Sequence, residues 1–195
     1  HVILLLELYL AQQYFNINNT MGGRLKCPSF VLWDFFMTSR NNHSPRDTST
    51  GKVNEADIEQ FLAENCSVNV YPQAEVGSQF DTGKKHIVDI LLGGEAYKKK
   101  KGAKRWTSSH LGGTLISLKY QKVEGTAEEK IPFEFIKLQN AINKYGYNKA
   151  IIVLCGDEGW TLKDTYLNEE FVTQMKAICP DVVITNEENF RAEVI

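Results

Sequence analysis

The chain has 195 residues, enough for one well-buried domain and short for two. Apolar residues make up 43% of it and charged residues 24%, which excludes an intrinsically disordered chain. The formal net charge of −2 excludes a global field that attracts nucleic acid, so any nucleic-acid surface has to come from local clustering.

The opening stretch His1–Leu10 is apolar but too short and interrupted to cross a membrane, and it lacks the basic start and small-residue cleavage site of a signal peptide. Residues 1–16 read as a packing helix suited to a subunit interface, and 16–28 as a polar connection. Phe30, Trp33, Phe35 and Phe36 read as core, and 39–51 has loop composition. A helix is predicted over Val53–Glu64, with Val53, Ala56/Asp57, Gln60/Phe61 and Glu64 along one side and Asn65 as its stop. Val68–Tyr71 reads as a short strand. His86–Leu92 reads as a strand carrying one acid, Asp89, that is either buried or at a site.

The run Lys98–Lys101 with Lys104 and Arg105 is either a solvated loop or a nucleic-acid contact. A strand follows over Thr114–Gln121, then a loop (122–125) and a carboxylate-rich helix. Ala150–Leu154 reads as a fully buried central strand, with Gly156 and Gly159 marking the turn after it. A helix over Asn168–Ile178 and a strand over Val182–Thr185 complete the pattern. Adjacent strands followed by alternating helix and strand predict an α/β fold, a mixed sheet flanked by helices. Cys27, Cys66, Cys155 and Cys179 form no CxxC pair, which excludes zinc-finger spacing. They are too few for a disulfide scaffold, and a reducing cytoplasm fits best.

The chemistry concentrates between Asp89 and Asn140. Ser117, Lys119 and Gln121 share one face of their strand, and Glu128, Glu129 and Glu134 follow on the helix. An acid on one strand, a lysine on the next and an acid on the following helix can hold a divalent cation beside an ammonium, as metal-assisted phosphodiester hydrolysis requires. Ile131, Phe135, Leu138 and Ile142 define the packed helix face; Glu134 and Glu128 flank it, while Glu129 points away. Thr126 to Glu129 fits a capping box, but Pro132 fits badly six residues into a helix. A turn over 126–130 with the main helix starting at Pro132 leaves only Glu134 reliably placed. Glu134 is therefore preferred and Glu128 is second.

Each residue also has a structural reading. Asp89 could pair with His86 or Lys85, Lys119 could lie exposed on a polar sheet face, and Glu134 could pair with Lys130 or Lys137 on a solvent face. His43 and His110 read as loop histidines, and Asp157 and Glu158 as turn residues.

Asp89 on a strand, a thirty-residue gap, a strand carrying Lys119, a helix and another buried strand together resemble the PD-(D/E)XK nuclease superfamily, best known for type II restriction endonucleases. The resemblance covers residues 53–185, leaving 1–50 as an N-terminal extension for dimerisation or DNA contact within a single nuclease domain. Two departures stand out. Val88 replaces the usual proline, and Ser117 occupies the place of the second acid, where it cannot supply the charge a hard cation prefers. The chain resembles the variant that keeps Ser-x-Lys on the strand and carries the acid on the next helix, since Glu134 lies fifteen residues beyond Lys119.

The resemblance implies a Mg²⁺-dependent endonuclease on double-stranded DNA, with Mn²⁺ as a substitute, working as a homodimer in the manner of a type II restriction enzyme. It implies Asp89 and Glu134 as metal ligands and Lys119 as the residue that orients or activates water. Lys99, Lys100, Lys104, Arg105 and Gln121 would meet nucleic acid. Glu55 and Glu59 resemble the acid many members carry on the first helix, although a solvated helix charge is the favoured reading of both. The rivals are a structure-specific repair or recombination nuclease and a catalytically inactive nucleic-acid-binding module of the same fold.

Overall fold

In a computed structural model, residues 49–194 are described, apart from 81, 122–127 and 157–158. The expectations for 1–48, among them the first helix, the aromatic core run, Cys27 and His43, lie outside the described residues, as do Thr126, Asp157 and Glu158. The elements run α1 (Ser49–Asn65), β1 (Val70–Ser78), β2 (Lys85–Leu92), β3 (Ala96–Tyr97), β4 (Trp106–Ser108) and β5 (Thr114–Tyr120). A 3₁₀ turn (Glu128–Lys130) leads to α2 (Ile131–Tyr145), then β6 (Lys149–Cys155), α3 (Lys163–Leu167), α4 (Glu169–Ile178), β7 (Val182–Asn186) and α5 (Glu187–Val194). The strands form one seven-stranded mixed sheet in the order β3-β4-β1-β2-β5-β6-β7. β1, β2 and β5 are antiparallel neighbours, whereas β5, β6 and β7 run parallel, connected by helices as parallel neighbours require.

Each face of the sheet is covered because the strands alternate. Ile90, Ile116, Leu118 and Val153 pack with Ile58 and Leu62 of α1 and Phe190 of α5. The odd-numbered residues of β5 face the other way, towards α2, whose buried side is Ile131, Phe135, Leu138 and Ile142, as the spacing predicts. Pro132 sits in the first turn of α2, and the 3₁₀ turn ends just before it, so the proline sets the helix start. Gly146, at φ 76°, ends the helix in a left-handed cap.

Two expectations are corrected. The buried positions of α1 are Ile58 and Leu62, not the side running through Val53, which is 70% exposed; residues 49–51 belong to this helix and not to a loop. The strand expected over Val68–Tyr71 is a nine-residue β1, masked in the sequence by Pro72 and Gly77. The basic run is the exposed loop that was expected, at the tip of the short β3–β4 hairpin, with β4 parallel to β1.

Gly77 is needed where it stands. A bulge interrupts the β1–β2 register between Glu75 and Gly77, and at Gly77, with φ 127°, a Cβ would lie 2.2 Å from the Tyr145 ring. The Tyr145 hydroxyl accepts a hydrogen bond from the Ser78 N–H at 2.8 Å, so the ring cannot swing away without losing it. Gly77→Ala should therefore lower unfolding free energy by about 3 kcal/mol, read as a lower urea midpoint at unchanged m-value.

Candidate active site

β2 and β5 pair only over Ile90↔Ile116, Leu91↔Leu115 and Leu92↔Thr114. Beyond Ile90 they part, β2 staying with β1 and β5 with β6. Asp89 is the first residue of β2 past this pairing, and its Oδ2 accepts the Leu118 N–H at 2.7 Å. A carboxylate thus replaces the backbone carbonyl that a continued ladder would supply, and the notch between the strands becomes polar.

Ser117 and Lys119 project from β5 towards α2. Lys119 Nζ donates to Ser117 Oγ at 2.5 Å, and Ser117 Oγ donates to Glu134 Oε1 at 2.8 Å. Lys119 Nζ is itself 3.3 Å from Glu134 Oε1, and Lys137, one helical turn after Glu134, places Nζ 2.6 Å from Oε2. Burial alone would raise the Glu134 carboxyl, but Lys119, Lys137 and the hydrogen bonds from Lys137 and Ser117 hold it down at about 2. Asp89 differs. Burial pushes it up, against Lys119 and the Leu118 N–H, with Glu134 adding to the rise.

From the other side α1 supplies two more acids. Burial and the Asp89 carboxylate push Glu55 up, with Glu59 adding to the rise, and burial and Asp89 do the same to Glu59. Neither is the solvated helix charge that the sequence favours: both are half-buried, bordering the face that Ile58 and Leu62 define. Knowing that face would have found them from the sequence.

The other expected residues fall as follows. Glu128 is buried and directed elsewhere: its carboxylate accepts from the Thr161 hydroxyl at 2.6 Å and the Leu162 N–H at 2.8 Å, fixing the entry to α3. Gln121 is corrected as a nucleic-acid contact. It is 5% exposed, and its Nε2 donates to the Gly159 carbonyl at 2.6 Å. Lys100, Lys104 and Arg105 are exposed at the hairpin tip, whereas Lys99 reaches Glu75 at 3.3 Å and Lys85 reaches the same carboxylate at 2.6 Å. Lys85 therefore pairs with Glu75 rather than Asp89.

Glu134 does pair with Lys137, but in the interior and not on a solvent face. Two residues near the site have other surroundings than the sequence suggests. Lys137 reads there as a surface pair partner, and His86 as a strand residue. His86 is buried, and burial together with Lys137 lowers it to about 4, so it stays neutral. His110 is no isolated loop residue: its ring stacks on Tyr145, and its Nδ1 lies 3.0 Å from the Tyr147 hydroxyl. Cys155 and Cys179 are buried thiols, which burial raises to about 12 and about 11.

The acids that feel Asp89 from α1, Glu55 and Glu59, offer hard carboxylate oxygens, which suit Mg²⁺ or Mn²⁺. Asp89, Glu55 and Glu59 destabilise one another as anions, and a divalent charge between them reverses that penalty. Among the described residues no three acidic, thiol or imidazole side chains converge on one point. One or two of these carboxylates would hold such an ion, with water and phosphate oxygens completing its shell, as Mg²⁺ is commonly held.

A domain model of the PD-(D/E)XK nuclease superfamily matches residues 46–168, from α1 through β6 to the end of α3. No curated protein and no solved structure matches the chain significantly. The chain belongs to the PD-(D/E)XK nuclease superfamily, and its mixed sheet flanked by helices is the fold expected of it.

The two strand-facing acids should affect stability in opposite directions. Glu134 titrates at about 2 in the folded chain against an ordinary 4.5, so its stabilisation is complete above pH 4.5 and lost as pH falls through 2. Glu134→Gln should cost up to about 3 kcal/mol at pH 7, with the gap to wild type closing towards pH 2. Asp89 titrates above its ordinary value, so its ionisation costs stability at neutral pH, and Asp89→Asn should unfold at higher denaturant than wild type. Denaturant titrations at several pH values measure both. A destabilised Asp89→Asn would show that Asp89 serves packing more than it strains it.

Proposed function

We propose that this chain is a Mg²⁺-dependent endonuclease that hydrolyses phosphodiester bonds in double-stranded DNA, in the manner of a type II restriction enzyme. The observation that supports this reading is the convergence of Asp89, Lys119, Ser117 and Glu134 at the point where β2 and β5 part. Asp89 would hold the cation, with the α1 carboxylates beside it. When bound, the cation neutralises charge on the scissile phosphate and acidifies the attacking water.

Glu134 supplies the negative charge that Ser117 lacks. Its Oε1 fixes Lys119 directly and through Ser117, and its Oε2 becomes available as a second metal ligand once Lys137 turns to a phosphate oxygen. Held this way, the Lys119 ammonium orients the water and stabilises charge on the pentacovalent phosphate. The exposed lysines and Arg105 of the β3–β4 tip, on the far side of β1 from β2, would suit phosphates further along the duplex. Lys99 joins them when a phosphate displaces Glu75. Residues 53–185 form the catalytic core in this reading, and 1–50 an extension for dimerisation or DNA contact. Cutting both strands from one site per subunit calls for a symmetric homodimer.

Plasmid cleavage with Mg²⁺ tests the proposal. Asp89→Ala should lower the rate more than about 100-fold, the scale of removing a group that stabilises developing charge, while DNA binding in Ca²⁺ is retained. Discrete bands from a long DNA support the restriction reading; cutting confined to branched substrates supports a structure-specific nuclease instead. Binding without any cleavage by wild type would leave a nucleic-acid-binding module. Neutralising Lys99, Lys100 and Lys104 together should weaken binding and reduce the slope of log K against log salt by about 2–3. An unchanged slope would remove the hairpin from the DNA surface.

A further inference from the structure

Gln73 lies on β1 between the Pro72↔Ile90 and Ala74↔Val88 pairs, level with Asp89 on the neighbouring strand. Its φ is +50°, a left-handed backbone that a strand avoids and that strains most residues with a Cβ, glutamine among them. The bulge in β1 does not call for it, since that lies further along, between Glu75 and Gly77. The Gln73 Nε2 donates to Glu55 Oε2 at 3.3 Å. Glu55 is the α1 acid that feels both Asp89 and Glu59 as like charges, against Lys119 and Lys52, which favour its anion.

We propose that Gln73 is a positioning residue: its left-handed backbone carries the amide over Glu55 and holds that carboxylate beside Asp89 for a divalent cation. The inference rests on the reading of Asp89 as the cation's ligand. Strain of this kind persists only where its surroundings over-determine it, and it collects next to functional sites. Here it has a local consequence that a relaxed residue would not provide. Glycine would accept the backbone but has no amide. Asparagine tolerates it but is one methylene shorter. Glutamate would reach Glu55 but would add another like charge.

Calorimetric titration of the full chain with MnCl₂, without DNA, reads the effect apart from cleavage. Gln73→Gly should weaken Mn²⁺ binding about tenfold, as loss of a group that orients a ligand does, while its melting temperature stays at or above that of wild type because the strain is released. Gln73→Ala should weaken binding equally but melt below Gln73→Gly, since it keeps the strain. Glu55→Gln should also weaken binding, and Gln73→Gly/Glu55→Gln should be no weaker than Glu55→Gln alone, because Gln73 acts through Glu55. Unchanged affinity in both Gln73 variants, with binding lost in Asp89→Asn, would overturn the role of Gln73 and leave the site reading intact. Additive losses in the double variant would overturn it too. If Asp89→Asn binds Mn²⁺ as well as wild type, the site reading fails and the proposal with it.

Discussion

The hydrogen bond from the Leu118 N–H to the Asp89 carboxylate is the contact on which the site depends. A sheet that kept β2 and β5 paired to their ends would satisfy Leu118 with a backbone carbonyl and leave no room for an acid between the strands. By parting after Ile90↔Ile116, the strands leave a buried N–H that needs a partner, and a carboxylate is the strongest one available. The bond holds Asp89 in place despite the burial that opposes its charge. The geometry of the sheet and the electrostatics of the site are therefore one constraint.

Around that notch the charges divide into two groups of different character. On the α2 side Glu134 is neutralised: two ammonium groups and a hydroxyl surround its carboxylate. On the α1 side Asp89, Glu55 and Glu59 are in excess of the cations near them, although Lys119 and Lys52 offset part of the charge at Glu55. A buried ion pair that is fully hydrogen-bonded stabilises a fold or costs it little, whereas carboxylates that repel one another cost stability. The proposed cation site rests on this asymmetry, which leaves the α1 side, with Asp89, the less neutralised of the two.

The fold was legible wherever periodicity was unbroken. Asp89 in an otherwise aliphatic strand, the Ile131/Phe135/Leu138/Ile142 stripe and the buried run of β6 each point to their element because one local rule dominates. What escaped were features set by distant contacts. β1 extends through Pro72 and Gly77 because β2 pairs with it and Tyr145 packs on the glycine, neither of which a local window contains. The hairpin around the basic run exists because β4 finds β1 more than thirty residues back in the chain. Gln121 alternates with Lys119 just past the end of β5, yet it bonds the Gly159 carbonyl and is buried. Alternation tells which face a residue is on, not what covers it.

The same distinction explains why one acid of the site was readable and others were not. Glu134 follows from Pro132, which fixes the start of α2, and from the apolar stripe, which fixes its rotation; sequence alone then places the carboxylate at the edge of the packed face. Glu55 and Glu59 depend on the rotation of α1, whose pattern misleads because Val53 is apolar but exposed and the burial is carried by Ile58 and Leu62. A rotation error on a helix moves every acid on it from the sheet to solvent. The lesson lies in the weighting: in α1 two large aliphatics four residues apart, Ile58 and Leu62, outweigh a single valine at Val53. Read with that weight, α1 presents its glutamates to Asp89, and the acidic side of the site becomes part of the same pattern as the serine and lysine of β5.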